Sequence, residues 1–86
     1  MNRVLQVSVA HITEETAYEL TRGKQIKHVQ VNSDSDFFID NLPRVRLSKV
    51  SGDLARVISH ALANGFKSLH LAADGKFHQA IPHYDW

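Results

Sequence analysis

Leu54, Val57, Ile58, Ala61 and Leu62 stand at i, i+3, i+4, i+7 and i+8, and no other pattern in this chain restricts its fold so tightly. That spacing lines one face of an α-helix with apolar side chains, which then need a second layer to bury them. Ser51 or Asp53 caps the helix at its start. Asn64-Gly65 stops it, because glycine adopts the left-handed conformation that ends helices. A short strand containing Leu69 and Leu71 follows, and then a turn at Asp74-Gly75. A three-residue loop, Ala73-Asp74-Gly75 with Gly75 left-handed, pairs Leu71 with Phe77 and His70 with His78. That register keeps Leu69, Leu71 and Phe77 on one face, whereas a two-residue turn would split them.

The first half supplies the rest of the sheet. Leu5, Val7 and Val9 alternate with Gln6, Ser8 and Ala10, so residues 3–10 read as a strand with one buried face. Thr13 caps a short helix over residues 14–22, with Glu14 and Glu15 at its positive end and Gly23 beyond it. Residues 26–31 read as a second strand. The polar run 32–36 is a turn, and Phe37-Phe38-Ile39 is a third strand antiparallel to the second. Residues 44–50 alternate Val45 and Leu47 against Arg44, Arg46 and Ser48, as a strand or as an extended connection with two anchors. The expected fold is α+β, order β-α-β-β-(β)-α-β-β, with two helices on one face of a mainly antiparallel four- to five-stranded sheet. Residues 1–86 make one domain.

Composition limits the chemistry. The chain has no cysteine, which removes disulfides and thiolate–metal sites. No segment reaches the roughly 20 apolar residues of a membrane helix, and the N-terminus lacks the uninterrupted apolar run of a signal peptide. A soluble cytoplasmic protein is expected, with no membrane partner. There is no GxSxG elbow and no phosphate-cradling glycine loop, and the four glycines are dispersed. The reading is therefore not an enzyme, with no catalytic residue and no cofactor. Asp34, Asp36 and Asp40 lack the glycine and terminal glutamate of a calcium loop. The six histidines show no ligand spacing, so no metal site is assigned, and His70 and His78 are only weak candidates as a cross-strand pair.

Two binding surfaces remain. Adjacent Phe37 and Phe38 point to opposite faces of a strand, and Trp86 is costly to leave in water. Phe37 or Phe38 together with Trp86 are the expected anchors of a protein interface, with Arg44 and Arg46 as its polar rim. The partner is another protein, with a homodimer included. The alternative is nucleic-acid binding by the basic segment 44–56, through Arg44, Arg46, Lys49 and Arg56. Net charge is +1, yet residues 1–43 carry −2 and residues 44–86 carry +3.

Ser8-Val9-Ala10-His11-Ile12 near the start and Ala73-Asp74-Gly75 with Ile81-Pro82-His83-Tyr84-Asp85-Trp86 at the end carry a resemblance. They resemble a group of uncharacterised small proteins of bacterial plasmids, prophages and other mobile elements. Those begin with an S-T-A-H-I type motif and end in D-G…L-P-x-Y-D-W, and here Val9 replaces the threonine. The resemblance brings no activity or ligand. It implies a mobile-element accessory protein that inhibits a host defence complex or regulates plasmid or phage maintenance. The same positions also read as structure: Asp74-Gly75 makes a turn, and His11 hydrogen-bonds the backbone at a strand-to-helix junction.

Overall fold

A computed structural model describes residues 3–85. Strand β1 spans Val4–Ser8 and ends where the Ser8 hydroxyl accepts the Ala10 N–H, which opens a 3-10 turn at Val9–His11. Helix α1 spans Glu14–Thr21, and the Thr13 side chain caps it by accepting the Thr16 N–H. Strands β2 (Val29–Ser33) and β3 (Asp36–Ile39) form the expected antiparallel hairpin, but β2 starts three residues after position 26 and the turn narrows to residues 34–35, with an irregularity between Val31 and Ser33. Helix α2 runs Gly52–Ala63, and β4 runs Ser68–Ala72.

The sheet is mixed, in the order β1-β4-β3-β2. β4 lies parallel to β1 and antiparallel to β3. Two of the three pairings and the four strands fit the expected mainly antiparallel sheet; the parallel β1–β4 pairing and the missing C-terminal hairpin correct it. β4 sits in the centre with a neighbour on each side, so both of its hydrogen-bonding edges are taken. The chain after Ala72 finds no edge beside it and, among the described residues, forms no further strand. Leu71 pairs with Val7 and Phe37, not with Phe77, which is exposed. Gly75 does not take a left-handed φ. It is needed for close approach: a Cβ there would lie 2.5 Å from backbone atoms of Val7.

Residues 44–50 are not a strand. They form two 3-10 turns, Leu42–Arg44 and Leu47–Lys49, between β3 and α2. Val45 and Leu47 act as the anchors, half-buried against the core.

Both helices cover one face of the sheet. Val7, Leu69, Leu71, Phe37 and Ile39 point inward and meet Ala17 and Leu20 of α1 and Leu54, Val57, Ile58 and Ala61 of α2. Burying such side chains contributes about 1.5–3 kcal/mol each, which makes this cluster the main source of stability. On the opposite face, Gln6, His70, Phe38 and Gln30 form one row across all four strands. No helix among the described residues is long and apolar enough to cross a membrane.

Candidate functional site: a basic cleft between two connections

The two longest connections lie side by side. The one from α1 to β2 leaves the helix at Gly23, whose φ of 72° is a conformation that glycine reaches at no steric cost. Gln25 follows with φ 65°, and buried Ile26 pins the loop to the core. The Gln25 carboxamide oxygen accepts the Ser51 N–H at 2.9 Å, tying this loop to the start of α2. The second connection leaves β3 through Asn41, at φ 55°, and is pinned by fully buried Leu42. With Val45 and Leu47 turned to the core, Arg44, Arg46 and Lys49 face solvent.

Between them lies a cleft of about 430 Å³ lined by Gln25, Ile26, Lys27, His28, Arg44, Val45, Arg46 and Lys49. Four of these residues are cations at neutral pH, and among the described residues no carboxylate lines the cleft. Among the described residues none of the four is in an ion pair. The His28 ring is oriented by donating from Nε2 to the Asp40 carbonyl at 2.9 Å. The Asp40 carboxylate is engaged elsewhere. It accepts the Ser68 hydroxyl at 2.6 Å and the Asn41 N–H at 2.8 Å, and these two bonds, in that order, hold its pKa below the usual carboxylate value. Guanidinium and ammonium donors converging without a carboxylate suit phosphate groups.

A family model described as the C-terminal domain of a family of unknown function, DUF5983, matches residues 4–86. The chain belongs to that family. No curated protein and no solved structure matches it.

In this DUF5983 domain the basic residues expected from sequence divide. Arg44, Arg46 and Lys49 come together in the cleft, whereas Arg56 is exposed on α2 and is no part of its lining. Lys27, His28 and Gln25 complete the site and were not singled out from the sequence. Their only local signal is a Lys-His pair in a segment that reads as strand. Phe37 is fully buried in the core, which removes it as a contact anchor. Its side chain points inward because position 37 pairs with Leu71 on the helix-covered face. Phe38 is half-buried on the open face, its ring 6.3 Å from His70. Trp86 lies outside the described residues.

The hairpin that would have paired His70 with His78 is not formed. His70 Nε2 instead meets Asp36 Oδ1 at 2.8 Å across the sheet. Hydrogen bonds from Asn32 and then His70 lower the Asp36 pKa. His78 Nε2 lies 3.0 Å from His60 Nε2 of α2. Among the described residues no group of three potential ligands could hold a metal ion.

Proposed function

We propose that this domain binds nucleic acid by its phosphate backbone, through the cleft between the α1–β2 and β3–α2 connections. The observation that carries the reading is the meeting of Lys27, Arg44, Arg46 and Lys49, from two separate segments, around one concavity that no carboxylate lines. Cations placed this way release counterions from a polyanion, and the resulting affinity depends on charge and salt more than on base sequence. The activity is binding without catalysis. Its proposed setting is an accessory protein of a bacterial plasmid, prophage or similar element, acting in the cytoplasm on plasmid or phage maintenance.

The test is fluorescence anisotropy with labelled single- and double-stranded oligonucleotides over a series of salt concentrations. Four phosphate contacts give a slope of log affinity against log salt of about −3.6 on duplex and about −2.8 on single strands. The double variant Arg44→Ala/Arg46→Ala should lose about half of that slope and keep the wild-type unfolding midpoint. Affinity that ignores salt, or survives in the double variant, would defeat the proposal.

A second reading, docking of a protein partner or a second copy of this chain, is favoured by Phe38. Its half-buried ring stands in the middle of the Gln6–His70–Phe38–Gln30 row, on the face that no helix covers. Such a partner would include the host defence complex that the sequence resemblance suggests. Phe38→Ala separates the two, because cleft binding leaves oligonucleotide affinity unchanged in that variant.

A further inference from the structure

Four of the six histidines, His11, His60, His78 and His83, gather where the chain after β4 doubles back, and the cleft uses none of them. This C-terminal segment crosses the end of β1 and the 3-10 turn after it. The Lys76 carbonyl accepts the Ser8 N–H at 3.0 Å, and the Tyr84 N–H donates to the Ala10 carbonyl at 2.7 Å. Its own Ile81 is buried in the core cluster.

The rings hold the segment with fixed proton positions. His11 is buried, with 1% of its surface exposed. Its Nε2 accepts the His78 N–H at 2.8 Å, so its proton sits on Nδ1, which donates to the Pro82 carbonyl at 2.9 Å. His78 Nδ1 accepts the Ala80 N–H at 3.1 Å, so its proton sits on Nε2, aimed at His60 Nε2. The Asn64 amide also approaches His60 Nε2, at 3.5 Å. All three rings are thus bonded in a way that only neutral imidazole allows. A second proton on His11 would face the His78 N–H, one on His78 would face the Ala80 N–H, and one on His60 would face the His78 Nε2–H. The same assignment speaks against a metal between His60 and His78. A ligating histidine donates its other ring N–H, and in His78 that nitrogen, Nδ1, already accepts one.

The groups around the rings do not compensate added charge. His11 is flanked by Phe77 and His83, with centroids at 5.9 and 6.5 Å. Asp53 of α2 is engaged by the Thr13 N–H. Asp74 and Asp85 of the segment itself make no ion pair among the described residues, where the one histidine–carboxylate pair is His70–Asp36 on the open sheet face.

We propose that residues 76–85 are a strap that neutral histidines fasten and acid releases, freeing the end of β1 at Ser8 and the turn that follows it. Histidine is the side chain that ordinarily changes charge between pH 5 and 8.

Amide hydrogen exchange of the whole protein at about pH 7.5 and about pH 5 tests this, with Leu69 and Leu71 of β4 as internal references. After correction for intrinsic rates, protection at His78 and Tyr84 should fall by about tenfold in acid while β4 keeps its protection. The His60→Gln/His78→Gln variant, whose side chains do not titrate, should show a smaller step. Strap protection that does not change with pH, or that is lost together with β4, would overturn the proposal. A step of undiminished size in the variant would do the same. Nitrogen NMR of the wild-type rings needs no variant: it should find His11 protonated on Nδ1 and His78 on Nε2 at neutral pH, and the opposite tautomers would also overturn it.

Discussion

The strap and the cleft are both rich in basic side chains, yet they treat them in opposite ways. Under the strap, His11 meets a donor on one nitrogen and an acceptor on the other, and His78 and His60 satisfy each other. Among the described residues no buried side-chain nitrogen or oxygen lacks a partner. At the cleft, Lys27, Arg44, Arg46 and Lys49 face solvent with no carboxylate in the lining. A polar cluster that is closed on itself holds the fold together. On the proposal above, the open cluster of one sign takes its complement from outside the molecule. Substitutions at the strap should therefore cost stability and spare binding, and substitutions at the cleft should do the reverse.

The largest effect is expected at His11. His11→Leu keeps the bulk but leaves the His78 N–H and the Pro82 carbonyl without the partner that the buried ring gave them. A loss of about 3 kcal/mol in urea unfolding is expected, with oligonucleotide affinity unchanged at temperatures where the variant is folded. Gly75→Ala comes next, at about 2 kcal/mol. The new Cβ would sit 2.5 Å from backbone atoms of Val7, which cannot swing aside as a flexible side chain could. If either variant weakened nucleic-acid binding as much as stability, the division between the two regions would fail.

How far these regions could be read from the sequence follows from the range of the interactions that build them. The helices are local objects. The apolar stripe from Leu54 to Leu62 and the Thr13 cap place α2 and α1 within about a residue of their observed ends. The β2–β3 hairpin is equally local, with its turn residues between two short apolar runs. The C-terminal hairpin was a sound local inference that a distant strand overruled: β1, more than sixty residues upstream, occupies the edge of β4 that Phe77 would have needed. The strap was legible only at His11, whose backbone bonding the junction suggested. Its partners Pro82 and His78 lie some seventy residues away. The cleft was half legible. Charge density marked Arg44, Arg46 and Lys49, but Lys27 and His28 reach it only because Ile26 and Gln25 anchor the neighbouring loop.

Asp53 joins the two helix starts and should show a smaller, pH-dependent effect. Burial alone would raise its pKa. Hydrogen bonds from Ser51, the Thr13 N–H and Thr16 more than offset that and leave it below the usual carboxylate value. A carboxyl group with a depressed folded-state pKa adds stability that is complete above the unfolded value of about 3.9 and is lost as pH falls through the folded one. Asp53→Asn should cost about 1 kcal/mol near pH 7, a figure kept low because solvent reaches the group. The gap between wild type and variant should close in unfolding curves recorded below about pH 4. A gap that persists there would mean that the carboxylate charge is not what stabilises the junction.

The smallest effect discriminates most finely, because it separates charge from position. Lys27→Ala and Arg56→Ala each remove one cation, so they change net charge equally. Lys27 lines the cleft and Arg56, on the outside of α2, does not. If the open cluster acts as a unit, Lys27→Ala should flatten the salt dependence of duplex binding by about one charge, roughly 0.9 in slope, and Arg56→Ala should leave it as in the wild type. Neither should shift the unfolding midpoint, since exposed side chains without partners contribute within about 0.5 kcal/mol. Equal changes in slope would mean that polyanions sense only the overall charge of the domain. The cleft would then be a consequence of how two loops pack, with no part in recognition.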